Sequence, residues 1–149
     1  MDNGHGKRTL FDLINERNVQ FRRQFEKAWT DFDMPASYSE WSIMDKIRGK
    51  QPTISEVSKQ VCITRQATHK FVKSLEAKGL VEVLTSANGR KTKTLRLTPQ
   101  GERYYELNEA IKQQYERQVA EQIGQDRLDQ LKELLGLDWG IGGNSNDFC

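Results

Sequence analysis

The amino-acid sequence predicts a mostly helical α+β fold, and three observations carry that prediction. Apolar residues recur every three or four positions over long stretches near both ends of the chain, Leu10 to Phe32 and Tyr104 to Leu135. Between them, Ser37 precedes Glu40 and Thr53 precedes Glu56 by three residues, the reciprocal capping pattern that starts short helices. Strand-type alternation appears once, in Val81 and Val83 and again in Leu95 and Leu97, on either side of Asn88-Gly89.

Each element follows from local chemistry. Residues 1–7 carry Gly, Asn and His and are expected to be loosely ordered, with His5 solvated. From about Thr9 to Asp33 the spacing of Phe21, Phe25, Ala28 and Phe32 predicts a helix with Leu10 and Ile14 on the same side, and Pro35 ends it. A second helix, capped by Ser37, turns Trp41, Met44 and Ile47 inward and stops at Gly49 and Pro52. Thr53 caps a short third helix through Ile54, Val57 and Val61, and Cys62 and Ile63 make a turn that needs no glycine unless φ is positive there. Thr64 caps a fourth helix, RQATHKFVKSLEAKG, with Phe71, Val72 and Leu75 on one face. Arg65, Gln66, His69, Lys70 and Lys73 crowd the other, and Gly79 closes the helix.

The hairpin register can be worked out on paper. A two-residue Asn88-Gly89 turn would set Val83 opposite Thr94 and put the apolar residues on opposite faces. Moving the pairing by one sets Val83 against Leu95 and Val81 against Leu97, so an odd-length loop or a bulge is expected at the tip, with Gly89 at positive φ. Thr98 then caps, and Pro99 begins, a long helix with Tyr104, Leu107, Ile111, Tyr115, Val119 and Ile123 in a stripe, interrupted at Gly124. A last amphipathic helix carries Leu128, Leu131, Leu134 and Leu135 to Gly136, and the Gly- and Asn-rich tail offers only Trp139 for local docking.

At 149 residues, with 36% hydrophobic and 30% charged, the chain is long enough for one core and has long solvated helical faces. The expected organisation is a single domain over 1–149: a lobe at 37–98, flanking helices at 8–34 and 99–136, and a flexible tail at 137–149. Net charge is only +2, but from Lys59 to Arg96 nine Lys and Arg face Glu76 and Glu82 alone, a local +7 of the kind that attracts a polyanion. No apolar run is long enough for a membrane span and the start lacks a secretory signal, so the cytoplasm is the expected compartment. Two Cys and two His give neither a disulfide framework nor a metal-ligand spacing, and no cofactor is called for. No Gly-rich phosphate loop, nucleophile elbow or His/carboxylate cluster supports an enzyme.

The stretch ITRQATHKFVKSLEAKGLVE and, at the right separation, LRLTPQGE resemble the recognition helix and the helix-start motif of MarR-family transcriptional regulators. The motifs cover Ser37 to Leu107. The resemblance implies a dimeric winged helix-turn-helix protein, a repressor that binds a pseudopalindromic double-stranded DNA operator. By alignment to the motif, Arg65, Gln66 and His69 are expected at base edges and Thr64, Thr68, Lys70 and Lys73 at phosphates, with Thr68 also able to reach a thymine methyl. Arg90, Lys91 and Lys93 are expected on the wing. The family usually shows Asp-x-Arg at its tip, whereas Asn88-Gly89-Arg90 stands here and replaces the charged acceptor that would orient Arg90.

The apolar stripes are too long for so short a chain to enclose, which assigns Phe21, Phe25, Leu107, Ile111, Tyr115, Val119, Leu128 and Leu131 to a homodimer interface. The resemblance further implies a small aromatic ligand in a cleft, for which Trp29, Tyr38 and Trp41 are candidates, although aromatics at such places also serve as core. Cys62, between Val61 and Ile63, reads as a buried or half-buried inert thiol in preference to a redox sensor, and Cys149 has still less claim to sensing. Two other classes compete: a winged helix that docks an acidic protein, and an architectural DNA binder without sequence preference. The first calls for exposed apolar anchors on the basic helix, the second for salt-sensitive affinity independent of sequence.

Overall fold

The structure, a computed structural model, describes residues 5–85 and 92–142. The chain divides into two compact units, Met1–Tyr38 and Ser39–Cys149.

In the first unit, one 3-10 turn at His5–Lys7 leads into α1, Leu10–Asp31. Thr9 caps α1: its hydroxyl accepts from the Asp12 N–H at 3.2 Å while the Asp12 carboxylate accepts from the Thr9 N–H at 3.0 Å. Asp33 closes the helix with φ +56, the Asp33 and Met34 N–H groups reaching back to the Thr30 and Trp29 carbonyls. Trp29 is close to both Phe25 and Tyr38, at ring separations of 6.1 and 6.2 Å. Of the expected stripe, Ala28 is buried and Phe25 half-buried, whereas Phe21 and Phe32 are 48% and 66% exposed.

The second unit holds the remaining elements: α2 (Tyr38–Ile47, entered from the first unit), α3 (Ile54–Val61), α4 (Arg65–Ala77), β1 (Val81–Thr85), β2 (Lys93–Leu97), α5 (Pro99–Ile123) and α6 (Gln125–Gly136). Its core gathers Ile43, Met44 and Ile47 of α2, Val57 of α3, Val72 and Leu75 of α4, and Leu80, Val81, Leu95 and Leu97 from the hairpin. The strands pair antiparallel with Val81 opposite Leu97 and Val83 opposite Leu95, the register that the alternation requires. The pairing last closes at Thr85 and Lys93. Asn88, Gly89, Arg90 and Lys91 lie outside the described residues. A third segment joins the sheet edge, where the Leu95 N–H donates to the Pro52 carbonyl at 2.8 Å and Thr53 bridges Thr94.

Thr53 caps α3 with both halves of the expected box, and Cys62 ends it with φ +56 and ψ +38, a left-handed conformation in which a non-glycine residue is uncommon. Cys62 is exposed, which corrects the expectation of burial between Val61 and Ile63: the left-handed turn carries its side chain outward. Cys149 lies outside the described residues. Thr98 caps α5 through the Gly101 N–H at 3.0 Å and Pro99 is its first residue. Here α5 meets the end of α4 closely: the Thr98 N–H donates to the Leu80 carbonyl at 3.0 Å and its hydroxyl to the Gly79 carbonyl at 2.6 Å. A Cβ at Gly101 would stand 2.1 Å from the Leu80 carbonyl oxygen, so only glycine fits there.

On the α2 side, the Tyr105 hydroxyl donates to Asp45 at 2.5 Å and Arg48 lies over the Tyr105 ring at 4.5 Å. Burial, reinforced by that hydrogen bond, pushes the Tyr105 hydroxyl above its ordinary range. Beyond Gly124 (φ +96), α6 packs along α5, burying Leu128 and pairing Lys132 with Glu116 at 2.6 Å. It runs through Gly136, and Trp139 docks on it by donating to the Leu134 carbonyl at 2.7 Å. No helix among the described residues is long and apolar enough to cross a membrane.

Candidate nucleic-acid interface

The candidate site is built on α4, and both ends of that helix are fixed by named bonds. At the start, the Thr64 hydroxyl accepts from the Ala67 N–H at 3.0 Å, while its carbonyl accepts from the Thr68 hydroxyl at 2.9 Å. At the finish, the Gly79 and Leu80 N–H groups donate to the Glu76 and Leu75 carbonyls at 3.0 Å, a closure that the positive φ of Gly79 permits. A clamp from α2 secures the last turn: Lys78 Nζ donates to both Glu40 carboxylate oxygens at 2.9 Å, and Ser74 lies 3.4 Å from one of them. Glu40 is only 5% exposed, so this pairing compensates a carboxylate withdrawn from water.

With the ends held, helical periodicity decides which side chains face outward. Thr68, Val72 and Leu75 point into the core together with half-buried Phe71. Arg65, Gln66, His69, Lys70 and Lys73 are all exposed. Among the described residues none of these five has an ion pair or a side-chain hydrogen bond, so the face presents forked, amide and imidazole donors beside two ammonium groups, all uncommitted. Lys93 is exposed at the start of β2, whereas Arg96 is taken up by Glu82 at 2.6 Å. Among the described residues no group of three or more His, Cys, Asp and Glu could hold a metal ion.

No family model matches the chain. It is 32% identical over 81 residues to the HTH-type transcriptional regulator FarR of Neisseria gonorrhoeae, covering 54% of this chain and 55% of that protein. An uncharacterised HTH-type transcriptional regulator of Staphylococcus aureus is 34% identical over 71 residues, 47% of this chain and 49% of its own length. The chain thus spans about half the length of the curated relatives it matches. Among solved structures, apo MarR of E. coli superimposes with a TM-score of 0.73 at 22% identity, covering 86% of this chain and 95% of that one. The transcriptional repressor CouR bound to a 23-mer DNA duplex gives 0.76 at 18% identity, covering 91% and 95%. The fold is that of the MarR-type winged-helix regulators.

In this MarR-type fold α3 and α4 form the helix-turn-helix, β1 and β2 the wing, and α1, α5 and α6 the flanking helices. Of the residues singled out in the sequence, α4 brings Arg65, Gln66, His69, Lys70 and Lys73 onto one exposed face, with exposed Thr64 at its head. Thr68, expected at a phosphate or a thymine methyl, is instead fully buried, with its hydroxyl bonded back to the Thr64 carbonyl. Arg90 and Lys91 lie outside the described residues. Among the apolar positions expected at a dimer interface, Phe21, Leu107 and Leu131 are 48%, 54% and 45% exposed, and Phe25, Tyr115 and Val119 are half-buried. Ile111 and Leu128 are already covered within the chain, because they lie on the inner edge of a stripe whose two edges periodicity does not distinguish. Sequence reasoning missed the Glu40–Lys78 clamp, which joins residues far apart in sequence, and the contact that makes Gly101 obligatory.

Proposed function

We propose that this chain is a sequence-specific double-stranded DNA-binding transcriptional regulator, acting as a homodimeric repressor on a pseudopalindromic operator. The observation that carries the reading is the uncommitted face of α4. Arg65, Gln66 and His69 carry donors suited to base edges, beside Lys70 and Lys73 for phosphates, on a helix fixed at both ends. That α4 exposes no apolar anchor, with Phe71 half-buried and Val72 and Leu75 inside, weighs against a protein-docking module. Exposed apolar residues on α1, α5 and α6 support self-association, and a two-fold dimer matches a two-fold operator. A small aromatic inducer rests on the family resemblance alone.

The test is selection of bound sequences from a randomised duplex library near physiological salt, followed by titration of the winner against scrambled DNA. A pseudopalindrome bound about a thousandfold tighter than scrambled DNA is expected. Arg65→Ala should cost about 1–3 kcal/mol on that site and relax preference at one position. Salt-sensitive binding without enrichment would replace specific regulation by architectural binding.

A further inference from the structure

Resting on the DNA-binding reading above, we infer that Glu76 is a specificity-determining residue. Its carboxylate stops α4 at one seating in the groove and repels the phosphates met in other seatings, so it weakens binding to unrelated DNA more than binding to the operator. Glu76 is exposed in the last turn of α4. It stands eleven residues after Arg65, which at about 100° per residue brings it to within about 20° of the same line along the helix. From its start the outward face therefore reads Arg65, His69, Lys73 and then a carboxylate, with Gln66 and Lys70 alongside.

A carboxylate in the last turn of a helix is opposed by the helix dipole, which favours a cation there. Among the described residues the Glu76 side chain has no ion pair and no hydrogen bond to offset this: Lys73, one turn earlier, does not pair with it, and Lys78 is given to Glu40. A residue set against its own helix, with nothing in the fold to compensate, points to a role at a site. Geometry supplies that role. From Arg65 to Lys73 the face is about 12 Å long at about 1.5 Å per residue, close to the width of the major groove. With that part seated, Glu76 lies about 4–5 Å beyond Lys73 along the axis, and Lys73 meets the phosphates at the groove wall. A slip of one turn, about 5 Å, exchanges the two and sets the carboxylate against phosphate. Base contacts hold the operator complex in the first seating. Unrelated DNA lacks them, and its loose seatings include those that Glu76 opposes.

The measurement is the affinity of wild type, Glu76→Gln and Glu76→Lys for the selected and the scrambled duplex at one salt concentration. Glutamine matches glutamate in shape and helix preference, so the fold is kept. Glu76→Gln should tighten binding to the scrambled duplex by about three- to tenfold and to the selected duplex by less than about twofold, as two exposed charge contacts per dimer allow. Glu76→Lys should narrow the ratio of the two affinities further. A ratio that neither variant changes overturns this inference and leaves the DNA-binding reading intact. So does a Glu76→Gln protein that binds the selected duplex more weakly or prefers a new base, the mark of a carboxylate that accepts from cytosine. Absence of a preferred sequence in wild type overturns both.

Discussion

Replacing Gly101 and Gly136 by alanine, one at a time, should move stability in opposite directions although both residues are helical. An alanine in a helix is ordinarily favoured over glycine by about 1 kcal/mol, through the unfolded chain's lost freedom and the helix's own preference. Gly136 has nothing within 4 Å of an added Cβ, so it should show part of that gain, about 0.3–1 kcal/mol at the last turn. At Gly101 the added Cβ would stand 2.1 Å from the Leu80 oxygen, with the Leu80 carbonyl carbon at 3.0 Å, so α5 and the backbone at Leu80 must separate by more than an ångström. They cannot do so freely, because Leu80 is fully buried and its carbonyl holds the Thr98 N–H, while the Thr98 hydroxyl holds Gly79. Overpacking of this kind costs about 2–3 kcal/mol net, which for a chain of this size lowers the melting midpoint by roughly 5–10 °C. Circular dichroism melts at matched protein concentration measure both variants, since the proposed self-association would make the midpoint depend on concentration. A Gly101→Ala protein as stable as wild type would refute the seating of α5 on Leu80.

Three further substitutions test the support of α4. Lys78→Met strands the buried Glu40 carboxylate and should destabilise by about 2–3 kcal/mol in urea titrations, less than for a fully enclosed pair because Lys78 is partly exposed. Adding Glu40→Gln should recover part of the loss, and a double variant no better than the single would sink the clamp. Thr68→Val keeps shape but removes the bond to the Thr64 carbonyl, so a stability loss of about 1 kcal/mol is expected, with base preference in a binding selection unchanged. A new preferred base in that selection would return Thr68 to the interface.

Much of the fold was written in short-range chemistry. The Thr53–Glu56 box, the Thr64 and Thr98 caps, Pro99 and Gly79 act over a few residues, and each formed as its local pattern demands. The strand register was legible for a different reason: only one pairing places Val81, Val83, Leu95 and Leu97 on a common face. What escaped was what the chain decides at long range. Glu40 carries the spacing of a cap residue, and nothing in that spacing announces that its carboxylate accepts from Lys78 and Ser74 across the lobe. Thr68 has a polar side chain on a helix rich in polar residues, and only its position one turn before Val72 shows that it points inward. Cys62 takes a conformation that glycine would signal, and no glycine stands there.

The charge of the site shows the same division between composition and contact. Lys59 to Arg96 sums to +7, but Lys78 is held by Glu40 and Arg96 by Glu82, so these two cations have least to offer a phosphate. Lys70, Lys73 and Lys93 are exposed and among the described residues pair with no carboxylate. Each phosphate contact contributes about 0.9 to the slope of log affinity against log salt on duplex DNA, so one lysine lost from each half of the proposed dimer should flatten the slope by about 2. Lys73→Ala is therefore expected to weaken binding to the selected and scrambled duplexes alike and to flatten the slope by that amount. Arg96→Gln removes the same formal charge from the same stretch and should leave the slope nearly unchanged, because its guanidinium already has a partner. Fluorescence anisotropy titrations between about 50 and 200 mM salt, where such slopes span orders of magnitude in affinity, separate the two. Equal flattening by both variants would mean that duplex DNA responds to the summed charge of the lobe and not to the particular face that α4 presents.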